Sequence, residues 1–252
     1  MSIFYEWPHS AAFGRVIPKS RIYEHARAGA RLKELFVREV DQIIWSHKLA
    51  PETINLPAAN QVREIQVFQV KVRSLELDHD VLRAIDKAVP FPLLFELLHD
   101  DRIRMVAAYK RPNEADTARW VVGNYFEGDW QPSDAVRAPL PVVLNMGALY
   151  EQLLAPLVAA RVHDAVGSTY GFGEAPQAHF TRDYEATIPL LARIAHADQV
   201  RRQLRKVEQI EMRLKREKQF NRRVAINAEL RVAKQELQQL MAGRARPDEK
   251  NG

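Results

Sequence analysis

The chain contains no cysteine. A thiol nucleophile, a cysteine-ligated zinc and a structural disulfide are therefore excluded, and the composition fits a reducing compartment, so a cytoplasmic location is expected. Long apolar runs are also missing. None approaches the ~18 residues that span a bilayer, and no membrane role is expected. The opening MSIFYEWPHSAAFGR lacks the basic stretch and apolar core of a secretion signal. The eight histidines never fall at His-x-x-x-His spacing. Asp78-His79-Asp80 and His99-Asp100-Asp101 are rich in potential ligands, but neighbouring side chains do not converge on one ion. They read as a helix cap and a turn, and neither a metal nor a cofactor is expected. Gly171-Phe172-Gly173 lacks a preceding strand and a phosphate-loop lysine, so it reads as a loop.

What is present supports a folded chain. Its 252 residues, 46% of them hydrophobic, correspond to one or two domains with enough apolar surface for a core. The most structured stretch runs from Lys48 to Leu98. It is a proline-bounded loop, a strand over Glu64–Val72, a short helix carrying Val81, Leu82 and Ile85 behind an Asp78 cap, and a strand over Leu93–Leu98. Ile103, Met105, Ala107 and Tyr109 alternate with polar residues after a tight polar turn, which predicts an antiparallel hairpin. Trp120–Val122 and Tyr125–Trp130 offer further edge strands. Upstream, residues 1–20 read as an arm. Leu32, Leu35, Phe36, Val40, Ile43 and Ile44 have helical spacing, predicting one amphipathic helix from about Ala30 to near His47. The fold class is α+β, with a small, mainly antiparallel sheet and a helical, coiled-coil-like C-terminal region.

Three segments are expected. Residues 1–138 form the α+β domain with its arm. Residues 139–175 hold a helix opened by Asn145 and kinked at Pro156, then a flexible link over Gly167–Glu174. Residues 176–252 are helical and carry the chain's charge imbalance. The net charge is +5, yet ten Lys/Arg face only three Glu between Arg201 and Arg223, leaving −2 elsewhere. At ~100° per residue, Arg201, Arg202, Arg205, Lys206, Arg213 and Arg216 share one side of a helix and Val200, Leu204, Val207, Ile210 and Leu214 the other. Those six cations are the candidate nucleic-acid contacts. Phe220 and Val224 break the phase, so the segment bends near Glu217–Asn221, folds back as a helical hairpin, or packs its two halves on different partners. Val224, Leu230, Leu237 and Leu240 resemble half of a coiled coil and suggest a homo-oligomer through the C-terminal helices.

One acidic constellation is worth weighing. A metal-dependent nuclease of the PD-(D/E)xK kind needs an acidic residue and then Asp/Glu-x-Lys on a following strand, so that carboxylates hold magnesium and the lysine steadies the attacked phosphate. Here Glu64, Gln69 and Lys71 share a strand, but the pattern is Gln-x-Lys, with no well-placed aspartate upstream. A solvated strand face accounts for these residues, and no catalytic residue is assigned.

KLAPETINLP, EIQVFQV, AIDKAVPFPLLFEL, LYEQLL and EKQFNRRVAINAELRVAKQEL together resemble the bacterial domain-of-unknown-function family 4391, from Arg15 to Leu240. The resemblance implies genes that tend to lie beside a DNA helicase and a DNA methyltransferase or restriction-type subunit. It therefore implies an accessory role in DNA restriction or phage defence, and it carries no active site with it. The expected function is a non-enzymatic adaptor that docks onto a helicase or methyltransferase and contacts DNA through the basic helix. The alternative is a degenerate nuclease using Glu64 and Lys71.

Overall fold

The computed structural model describes residues 3–59, 61–113, 115–116, 120–169 (161–169 as backbone) and 189–241. It divides into two units, Met1–Leu157 and Val158–Gly252.

The first unit is built on one sheet, in the strand order β1 (Ala12–Val16), β2 (Val40–Leu49), β3 (Ile65–Val72), β4 (Leu93–His99), β5 (Arg102–Pro112) and β6 (Trp120–Glu127). The short β7 (Gln131–Pro132) also pairs with β5. All neighbours are antiparallel except β3 and β4, which run parallel with Phe68 opposite Phe95. A parallel pair needs a crossover, and α4 (His79–Ala88) supplies it. Asp78 caps that helix, accepting the Asp80 amide at 2.9 Å as its sequence predicts. Val81, Leu82, Ala84 and Ile85 are buried and pack against Phe68, Val70, Phe95 and Val106 on one face of the sheet. The β4–β5 hairpin also forms as its alternation predicts.

Two expectations need correction. The helix begun at Ala30 does not reach His47. It ends as α2 (Ala30–Glu39), and Val40–Leu49 is β2. Val40, Ile43, Ile44 and Trp45 are β-branched or aromatic, types that favour a strand once β3 lies alongside. Lys19 Nζ donates to the Phe36 carbonyl at 3.2 Å and so helps terminate α2. The arm is also more ordered than its punctuation suggests. Residues Ala12–Val16 form the edge strand β1, and α1 (Lys19–Ala26) follows Pro18. Gly14 adopts φ 65° where the β1–β2 register shifts, a bulge that an L side chain would strain.

The opposite sheet face buries Val67, Leu94, Met105, Ala107 and Phe126. The single turn α3 (Pro51–Ile54) follows β2, and the first turns of α5 (Met146–Thr169) reach β5 through Tyr150. Tyr150 OH donates to the Ala108 carbonyl at 2.9 Å and accepts the Lys110 amide at 2.8 Å. Asn145 accepts the Ala148 amide at 2.9 Å, so the expected helix start holds, and the helix runs on through Pro156. Of the expected Gly167–Glu174 link, residues 167–169 are still helical, and the remainder lies outside the described residues.

The second unit contains α6 (Leu190–Arg216) and α7 (Phe220–Met241), which pair as a helical hairpin. The phase break in the sequence therefore marks a turn between two helices. Val200, Val207 and Ile210 of α6 pack with Ile226, Ala233 and Leu237 of α7, and Leu204, Leu214, Leu230 and Leu240 border them. Burying a leucine as completely as Leu237, which is 0% exposed, contributes about 1.5–3 kcal/mol.

Candidate nucleic-acid interface

The hairpin sets the fate of each cation in the stripe. With the apolar side of α6 turned toward α7, the basic side faces outward or onto the flanks. Lys206 Nζ lies 3.2 Å from Glu236 and Arg213 Nη1 lies 3.3 Å from Glu229, so these two tie α6 to α7. On the other flank Lys234 reaches back to Glu211 at 2.8 Å. Exposed pairs of this kind each contribute about 0–1 kcal/mol and mainly fix helix alignment. Arg201 is half-buried and has a partner of its own. Arg202, Arg205 and Arg216 are exposed and form no ion pair among the described residues. They span fourteen positions, or ~21 Å of helix, comparable with about six steps of a DNA strand.

The basic surface continues around the turn. Arg213, Arg216 and Arg222 line a crevice of about 420 Å³ beside Glu217 and Ile226. Glu217 is engaged with the backbone, accepting the Gln219 amide at 2.8 Å and the Lys218 amide at 2.9 Å just ahead of α7. The Gln219 amide foremost holds its carboxyl below the ordinary value. Leu230, Leu237 and Leu240, whose spacing predicts association between copies, pack instead within this chain, while Val224 remains exposed.

Residues of the nuclease alternative do not meet. Glu64 lies just ahead of β3, not on it, and meets Gln66, whose amide nitrogen donates to it, while alternation along β3 puts Gln69 and Lys71 on the side opposite Gln66. Gln69 Nε2 donates to Glu96 on β4 at 2.9 Å. Glu96 is 0% exposed, and Trp7 Nε1 at 2.8 Å and Arg137 Nη1 at 2.7 Å complete its surroundings. This cluster fastens the N-terminal segment to the sheet, since Tyr5 also bridges to Ala138. No group of three or more His, Asp or Glu suited to a metal ion occurs among the described residues.

Two further polar clusters carry no local sequence signal. His79 Nε2 lies 2.7 Å from Glu127, which also accepts from Arg104 at 3.0 Å. The Arg104 guanidinium sits over Trp130, 4.8 Å from the ring centroid, beside a cavity of about 500 Å³. Below α4, Lys110 Nζ is fully buried and donates to the Asp86 carbonyl at 2.6 Å and to the Val89 carbonyl. Tyr125 OH donates to the Asp86 carboxylate. Burial pushes Asp86 up and Lys110 down from their ordinary values, and their mutual attraction opposes both shifts. This cluster closes the C-terminal end of α4, so its role is to hold the fold.

No described helix is long and apolar enough to cross a membrane. The family model described as "Domain of unknown function (DUF4391)" matches residues 6–237. No curated protein and no solved structure matches the chain.

Proposed function

From membership of the DUF4391 family, to which this chain belongs, we propose that it is a non-enzymatic accessory protein of a DNA restriction or phage-defence system. It works in the cytoplasm, docks onto a helicase or DNA methyltransferase, and lies against DNA along the outer face of α6. The observation that carries the DNA contact is the outward row of Arg202, Arg205 and Arg216 on a helix whose apolar side is already filled by α7. Cations spread along a rigid helix neutralise phosphates without reading base edges. Binding is then weak, indifferent to sequence and steep in salt. Each phosphate neutralised contributes about −0.9 to the log–log salt slope, so three arginines contribute roughly −2.7.

Fluorescence anisotropy on a duplex at stepped salt, with the wild-type chain and with Arg202, Arg205 and Arg216 changed together to Gln, tests the contact. Gln keeps the helix propensity close to that of Arg. The docking half of the proposal is tested by affinity purification from the native host. A helicase or methyltransferase subunit is the expected companion, and its absence from the recovered proteins would count against an adaptor.

A further inference from the structure

The groove between α1, the end of α4 and the β1–β3 edge of the sheet is not used by the proposed DNA contact. It measures about 470 Å³. Its floor is a row laid down by strand register. Arg15 of β1 stands opposite Trp45 of β2, and Trp45 stands opposite Phe68 of β3. The Trp45 and Phe68 rings are nearly parallel, 12° apart with centroids 6.1 Å apart. Phe13, 44% exposed, lies against Trp45 at 4.1 Å. Phe68 is 2% exposed and belongs to the core, so the ring presented to the groove is the partly buried Trp45 indole, backed by Phe68; an indole face gives a heteroaromatic base stacking contact whatever its identity.

The rim supplies the complementary half. Arg15, Arg21 and His25 all line the groove, all are exposed, and none forms an ion pair among the described residues. No acidic side chain lines it. The buried carboxylate of Glu64, beside Gln66, is already engaged by Gln66 and by Lys48 at 3.4 Å. Gln66 lines the groove, is 3% exposed, and turns its amide nitrogen to Glu64.

We propose that this groove binds an unpaired nucleotide, with the base against the Trp45 indole and the phosphate between Arg15, Arg21 and His25. A free mononucleotide and an unpaired nucleotide of a single strand present the same chemistry. The charge pattern selects a phosphate at the rim, and the Trp45 indole favours a flat heterocycle at the floor. This site belongs to the first unit and does not depend on the adaptor reading.

Isothermal titration of the full chain with AMP, adenosine, ribose 5-phosphate and a deoxyadenosine trinucleotide tests it. AMP is expected to bind, with adenosine and ribose 5-phosphate each roughly tenfold weaker or worse, since each forfeits one half of the site. Arg15→Gln with Arg21→Gln should weaken AMP by roughly tenfold or more and leave the melting curve in place, because both residues are exposed. His25→Gln, one turn further along α1, gives an independent variant with a smaller loss in the same direction. A trinucleotide displaced by AMP identifies a strand as the source, and AMP binding without such competition identifies the free nucleotide. The proposal is overturned if neither AMP nor the trinucleotide binds at about 1 mM. It is also overturned if ribose 5-phosphate matches AMP, or if the rim variants bind AMP as the wild type does.

Discussion

Replacing Lys110 with Met keeps the volume of the side chain and removes its charge. In the folded chain that ammonium satisfies the Asp86 and Val89 carbonyls at the end of α4 and faces the Asp86 carboxylate at 3.4 Å. Both side chains of the pair are essentially inaccessible, 0% and 2% exposed. The variant leaves a buried carboxylate without its counter-charge, a change that costs about 3–5 kcal/mol. For a chain of this size each kcal/mol lowers Tm by about 2–4 °C, so the expected drop is about 6–20 °C. Adding Asp86→Asn removes the stranded charge and keeps an acceptor for Tyr125. The double variant should therefore recover about 1–3 kcal/mol relative to Lys110→Met alone. Urea denaturation followed by circular dichroism reads both values. A single-variant loss below about 1 kcal/mol, or a double variant no more stable than the single, would refute the account of this pair.

Burial raises the hydroxyl pKa of Tyr125 and Tyr150 above the ordinary tyrosine value of 10.0. The folded chain then keeps two protons that the unfolded chain loses, so their stabilisation is complete below pH 10 and declines as pH rises. Lys110, shifted downward, has the opposite sign but acts only below 10.5. Between about pH 10.5 and 11.5 the decline should ease by about 1.4 kcal/mol per pH unit in Tyr125→Phe, and an unchanged slope in denaturant titrations would contradict the assignment. Arg137→Ala strands the fully buried Glu96 and is expected to cost about 2–4 kcal/mol and to release the N-terminal segment to proteolysis near Trp7. Leu237→Ala in the hairpin seam should cost about 2–5 kcal/mol by thermal melting of the helical signal. If a second copy associates through α7, it meets the outward Val224 and Val232. Changing both to Asp then lowers the mass measured by light scattering, whereas equal masses would remove α7 as the contact.

The segment from β3 to β5 was legible because its signals are local: a cap at Asp78, prolines at 90 and 92, and a period that switches from strand to helix and back. β2 was not, because Phe36, Val40, Ile43 and Ile44 continue the helical spacing of α2, and only pairing with β3 decides for a strand. β1 is five exposed residues interrupted by Gly14, with no buried face to leave a period. The phase break at Phe220 and Val224 was readable in the sequence, but choosing a hairpin over a bend depends on interlocking residues thirty positions apart, such as Lys206 with Glu236. Membership of the basic stripe could be read from spacing. Its division into flank and outward cations could not, since the glutamates that hold Arg213 and Lys206 lie on α7. The groove has no motif at all: Arg15, Trp45 and Phe68 meet only through strand register.

The central claim, that α6 lies against DNA, is tested most directly by the salt dependence of duplex binding. With Arg202, Arg205 and Arg216 changed to Gln, the log–log slope should become shallower by roughly 2.7 while the helical signal and melting temperature stay in place. A variant that folds normally and keeps the wild-type slope would show that the outer face of α6 is merely solvated or docks a protein, and would contradict the account.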